Sequence, residues 1–140
     1  MASYVFDHIK NKVSDGSVNF EDANYKMILV SSEVFNNSET IKTKTDWSEV
    51  SAYDIQTSEY NTLGYNGPED LSNIGSISAD GNITLSADNI TYLVSTIDAD
   101  GAVIYTSEEG LFCAIDFGGK KSSDNGVFDL NFSNGFLKIK

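Results

Sequence analysis

A succession of short apolar stretches, centred about every ten residues and separated by turn-forming residues, dominates the second half of this chain. Asn82 to Ser86 alternates, with Ile83 and Leu85 on one face. Thr91 to Ile97, Ala102 to Thr106 and Leu111 to Phe117 follow, and in the last of these Leu111, Cys113, Ile115 and Phe117 share a face. Successive side chains of a strand point to opposite faces, so alternation means that one face is buried. Asp80-Gly81-Asn82, Asp98-Ala99-Asp100-Gly101 and Glu108-Glu109-Gly110 read as the turns between these strands. Asp124-Asn125-Gly126 reads as a further tight turn into Val127 to Phe132, where Phe128, Leu130 and Phe132 share a face. Asn134-Gly135 then leads into a last strand, Phe136 to Lys140, with Leu137 and Ile139 inward. The pattern is that of an antiparallel sandwich or barrel.

The first half is less regular. Residues 3–13 read as a short helix, capped by Ser3 and stopped by Asp15-Gly16, with Val5, Phe6, Ile9 and Val13 on one stripe. A helix this short depends on docking for its stability, either onto the chain's own core or onto a neighbour. Tyr25 to Val30 is a strand candidate, and residues 31–46, rich in Ser, Thr, Asn and Lys, read as an exposed loop or arm. Val50 to Ile55 and Glu59 to Tyr65 are weaker strand or turn candidates, and Gly64, Gly67 and Pro68 punctuate the loop that follows. The 140 residues fit one domain with neither internal repeat nor linker. The expected fold class is therefore all-β: an antiparallel β-sandwich or jelly-roll-like domain of about eight strands with a short N-terminal α-helix.

Charge narrows the function. The net charge is −12, and all nine basic residues are Lys. From Trp47 to Gly119 the chain carries twelve Asp and Glu and no Lys or Arg. Such a surface repels phosphate backbones and anionic lipid, so neither nucleic acid nor membrane is an expected partner. No stretch approaches the about 18 uninterrupted apolar residues of a membrane span. The N-terminus has no basic flank before an apolar run, which points to synthesis in a cytoplasm.

Cys113 is the only cysteine and lies within Leu111-Phe112-Cys113-Ala114-Ile115, which reads as a buried, inert thiol. His8 is the only histidine, and nothing nearby in sequence supports a nucleophile–base pair. No carboxylate pair stands above the rest for glycosidase chemistry. Asp98-Ala99-Asp100-Gly101 has the opening of a Ca²⁺ loop, with Glu109 at position twelve, but Ala102 and Val103 fall where a ligand and a Gly are required. Gly118-Gly119-Lys120-Lys121-Ser122 lacks the spacing of a phosphate loop. The four Asn-x-Ser/Thr matches, at Asn36, Asn82, Asn89 and Asn131, carry no meaning without secretion. No catalytic, cofactor-binding or metal-ligating set is expected, and no cofactor.

Several segments, in order, resemble a family of small virion proteins of tailed bacteriophages. They are the N-terminal helix with Tyr25 to Val30, then Trp47-Ser48-Glu49-Val50-Ser51-Ala52-Tyr53-Asp54-Ile55, Leu63-Gly64-Tyr65-Asn66-Gly67 and Ser86 to Tyr92. The most specific stretch is Gly101-Ala102-Val103-Ile104-Tyr105 followed by Leu111 to Gly126, and the series closes with Phe128 to Phe132 and Gly135-Phe136-Leu137. The chain departs from the family pattern at Glu33 to Asp46, which is richer in Lys and Thr, and at Pro68-Glu69-Asp70. The resemblance brings no catalytic residues. It implies a structural role in the virion.

Together these readings lead to the expectation of a non-enzymatic capsid decoration (cement) protein on the outer head shell. Its partner would be the phage major capsid protein or another virion protein, with the chain itself a homo-oligomer. Two alternatives stand beside it. One is an adaptor or base domain for a head fibre or tail appendage, with the helix and residues 31–46 as arms. The other is a carbohydrate-binding module using exposed aromatics such as Trp47 and Tyr65. Trp47 and Tyr53 are otherwise expected as anchors of one corner of the sandwich, and Asp116-Phe117-Gly118-Gly119 as a strand end needing positive φ.

Overall fold

A computed structural model describes residues 4–15, 24–55, 64–65, 67–79, 82–106, 110–132 and 137–139. Among them are eight strands: β1 (Tyr4–Val5), β2 (Tyr25–Val30), β3 (Glu69–Asp70), β4 (Gly75–Ala79), β5 (Asn82–Ser86), β6 (Ile90–Thr106), β7 (Gly110–Leu130) and β8 (Leu137–Ile139). They form two antiparallel sheets, of order β1-β7-β6-β2-β3 and β4-β5-β8. Helices α1 (Asp7–Asp15), α2 (Glu33–Asn36) and α3 (Ser38–Ile41), with 3₁₀ turns at Trp47–Glu49 and Ser51–Tyr53, complete the described elements. The fold is all-β and sandwich-like, as the alternating segments imply.

Strand β2 shows why. Its six residues pair with β6 from Tyr25↔Thr106 to Val30↔Gly101. Met27 and Leu29 enter one apolar cluster with Ala102, Ile104, Phe112, Leu85, Phe128 and Leu130. Ile28 and Val30 enter a second, with Val103, Leu111, Ala114, Phe6, Val34, Phe35 and Ile41. Both faces of the large sheet are thus covered, and a strand covered on both faces reads as a continuous apolar run rather than an alternating one. The three-stranded sheet, through Leu85, faces one side, while α2, α3 and Val50 close the other.

Past Met27, the outer edge of β2 finds its partners in the following segment. The Ile55 N–H donates to the Leu29 carbonyl (3.0 Å) and the Ser31 N–H to the Tyr53 carbonyl (3.2 Å). The Leu29 N–H donates to the Tyr65 hydroxyl (2.9 Å), which in turn donates to Asp54 Oδ1 (2.9 Å). A buried N–H without a partner is costly, so Tyr65 closes an edge that would otherwise need a strand.

Several expectations need correction. The N-terminal helix starts at Asp7 and not at Ser3, because Tyr4 and Val5 pair with Ala114 and Cys113 as a strand. Residues 31–46 are no exposed arm: they hold two short helices whose Val34, Phe35 and Ile41 are buried. Only the polar face of that segment was legible, since three apolar residues scattered among Ser, Thr and Asn set up no clear period. Of the strand and turn readings of Val50 to Ile55 the turn holds: a 3₁₀ turn at Ser51–Tyr53 runs into a single bridge, Val30↔Asp54. Trp47 starts the preceding turn, capped by Asp46 and Glu49: the Ser48 N–H donates to Asp46 Oδ2 (3.3 Å) and the Asp46 N–H to Glu49 Oε1 (3.2 Å).

The largest correction concerns the two inner turns. Asp98-Ala99-Asp100-Gly101 and Asp124-Asn125-Gly126 both lie within strands, because β6 and β7 form one long hairpin pairing from Ile90↔Leu130 to Thr106↔Gly110. Their Gly, Asn and Asp residues serve register irregularities instead of chain reversal. Glu108, Glu109, Asp80-Gly81, Asn134-Gly135 and most of Glu59 to Tyr65 lie outside the described residues. Strands β3 and β4 were not anticipated, while β8 carries the expected Leu137 and Ile139 and pairs with β5.

Candidate functional site

The two residues best suited to nucleophilic chemistry are both engaged in packing. Cys113 is fully buried, and burial pushes its thiol well above the ordinary value. His8 Nε2 lies 2.6 Å from the Leu111 carbonyl oxygen, and since a carbonyl only accepts, this nitrogen carries the proton. The imidazole thereby fastens α1 to the start of β7.

A cleft of about 240 Å³ opens where β7 bulges away from β6. Pairing jumps from Ala99↔Lys121 to Gly101↔Asp116, so Phe117 to Lys120 stand opposite the single residue Asp100. Gly118 and Gly119 take positive φ (79° and 150°), as their sequence suggests, although the strand then continues. The Gly118 N–H donates to Asp116 Oδ1 (2.9 Å). Asp100, Asp116, Ser32 and Phe35 line the cleft with the two glycines. The described residues of the Ca²⁺-loop and phosphate-loop candidates fall here, as strand residues of β6 and β7 around a bulge. Among the described residues no group of three or more His, Cys, Asp or Glu is placed to hold a metal ion.

The aromatics proposed for glycan recognition fare unequally. Tyr65 is only 3% exposed, so it is no platform for a sugar. Burial first, and the Asp54 carboxylate second, push its hydroxyl well above the ordinary range. Trp47 is half-buried and stacks on Tyr105, with ring centroids 5.6 Å apart and planes 24° from parallel. It packs against the core as expected of a corner anchor, as does Tyr53.

The outer face of the β6–β7 hairpin carries the feature that sequence reading missed. Leu93, Val94 and Val127 are 72%, 69% and 57% exposed. Tyr92 pairs with Phe128 and Ser95 with Gly126, so Leu93 and Val94 together oppose the single residue Val127. This is a β-bulge, and a bulge re-aims side chains that regular pleating would send to opposite faces. Three residues on, Thr96 stands opposite Asp124 and Asn125 before Ile97↔Ser123 restores the register. Asn125 adopts φ 53°, and its N–H donates to Thr96 Oγ1 (3.1 Å). Ser95, between the two bulges, is buried; its hydroxyl donates to the Gly126 carbonyl (3.0 Å) and lies 2.8 Å from Ser123 Oγ. On the inner face Tyr92 stacks edge-on against Tyr65 and packs beside Phe128. The signal available in the sequence was the run Tyr92-Leu93-Val94, where three apolar residues in succession break the period of two.

Comparison of the chain with protein-family models, with curated proteins and with solved structures finds no match.

Proposed function

We propose that this chain is a non-enzymatic structural protein of a tailed-phage virion, a decoration (cement) protein that binds the outer surface of the head as a homo-oligomer. The observation that carries this reading is the exposed apolar cluster of Leu93, Val94 and Val127, which lies beside a pair of compensating bulges on the long β6–β7 hairpin. Contiguous exposed apolar side chains mark contact surfaces more often than scattered ones do. The ordered segments that resemble tailed-phage virion proteins supply the setting, and Cys113 and His8, both committed to packing, fit a protein that works through its exterior. The fibre-adaptor alternative drew on α1 and residues 31–46 as free arms. Phe6, Ile9, Val34, Phe35 and Ile41 are buried in the chain's own core, which favours the decoration reading over it.

Cryo-electron microscopy of purified virions tests the proposal. Density for this fold repeating over the head surface is the expected result. Density confined to the tail, or no density for the chain on the particle, overturns it.

A further inference from the structure

The cluster of Leu93, Val94 and Val127 has an anionic border. Asp124 and Asp129 flank Val127 along β7, and Asp98 lies further along β6; all three are exposed. The nearest lysines on β7, Lys120 and Lys121, lie beyond the Asp98↔Ser122 pair. We infer that this apolar knob is the surface that docks on the head shell, seated in an apolar socket rimmed by lysine or arginine side chains. The inference deepens the decoration reading and rests on it.

Charge selects the occupant. A second copy of the chain meeting the knob about a two-fold axis would set Asp124 and Asp129 against their own counterparts, on bodies each carrying a net −12. Like charges facing each other disfavour that contact. A cationic rim removes the repulsion and speeds encounter with an acidic protein. Sister contacts within the proposed homo-oligomer then use other surfaces. Geometry agrees with an anchor at the centre of a larger contact. A stable interface covers roughly 800 Å² per partner, more than three side chains supply, and a few central residues carry most of its energy. The knob is also pre-organised: Leu93 and Val94 are held by a bulge whose neighbouring Ser95 is locked to Ser123 and Gly126, so little order remains to be imposed on binding.

The test uses head shells purified from a phage lacking this chain, titrated with purified protein and read by co-sedimentation. Three proteins are compared: the wild type, the triple variant L93Q/V94T/V127T, and the charge reversal D124K/D129K. The triple variant keeps β-branching at the two valines and is expected to melt like the wild type. The expected result is saturable wild-type binding, with affinity lower by about tenfold or more in the triple variant. The charge reversal is expected to bind more slowly and to lose the salt sensitivity of the wild type. If the triple variant melts early, V127T alone, which keeps the side-chain shape, carries the same test with a smaller loss. Equal binding by wild type and triple variant overturns the knob while leaving the decoration reading in place. No wild-type binding overturns both. A wild-type dimer in sedimentation equilibrium that the triple variant dissolves, with shell binding unchanged, replaces the shell by a second copy and overturns the inference.

Discussion

Single residues in this chain hold positions that their type alone does not announce. Gly101 reads as a turn glycine, yet it sits mid-strand opposite Val30 and Asp116. A Cβ there would run into the Phe35 ring and the Ile115 carbonyl, so the glycine serves close approach and not chain reversal. Gly101→Ala is expected to lower stability by about 1–3 kcal/mol or more through overpacking, measured by urea denaturation. Tyr65 reads as a candidate surface aromatic and is instead the cap of an edge. Tyr65→Phe keeps the ring and removes the oxygen that accepts from Leu29 N–H. It is expected to cost about 1–3 kcal/mol, the range for a buried donor left without a partner. A Tyr65→Phe midpoint equal to that of the wild type would mean that water or another group replaces the hydroxyl. Cys113 needed no correction: a lone cysteine within an apolar strand is buried, and it should remain unreactive toward thiol reagents until the protein unfolds.

At the scale of elements, the alternating pattern disclosed which segments are strands but not where they end. Alternation of Phe128, Leu130 and Phe132 was legible because all three enter one apolar cluster, whereas Leu111, expected on one face with Cys113, Ile115 and Phe117, enters the opposite cluster because the register shifts at Phe112. The joining of these stretches into one strand was not legible, because Gly-Gly and Asp-Asn-Gly serve a bulge as well as a turn: both need positive φ, and sequence records only that need. Helices α2 and α3 escaped for the opposite reason. Each is four residues long, too short to show a period, and each is held by burial of Val34, Phe35 and Ile41 more than by propensity. The exposed knob left only a break in alternation at Tyr92-Leu93-Val94, because its exposure comes from a one-residue slip in pairing, and pairing is a property of two strands together. The long hairpin makes a direct prediction. Asp98 and Ser122 are register partners, with the Ser122 hydroxyl donating to Asp98 Oδ1 (2.5 Å). The double variant D98C/S122C should therefore oxidise to an intrachain disulfide, since antiparallel partners stand within bridging range. A reduced product after mild oxidation, seen by mass spectrometry, would restore the turn at Asp98 to Gly101.

For the molecule as a whole, burial of aromatic hydroxyls and the thiol fixes a pH dependence. Burial raises Tyr4, Tyr65, Tyr92 and Cys113 above their ordinary values, with Tyr53 adding to the effect at Tyr4, Asp54 at Tyr65, and Glu69 and Asp54 at Tyr92. The folded state therefore holds these protons more tightly than the unfolded chain does. Their contribution to stability is complete below the unfolded values of 9.0 for the thiol and 10.0 for the phenols, and it is lost as pH rises beyond them. The urea midpoint is expected to show no loss from these groups between neutral pH and about pH 9 and to fall steeply above about pH 10. Tyr65→Phe should flatten part of that fall. The proposed role places recognition on the exterior, where Leu93, Val94 and Val127 stand exposed beside Asp124 and Asp129, while Cys113 is packed inside. A decoration protein must be present in proportion to the shell it covers. Quantitative mass spectrometry of purified virions gives this ratio directly. A copy number comparable to that of the major capsid protein, or a simple fraction of it, is the expected outcome, whereas a handful of copies per particle, or none, contradicts the proposed role.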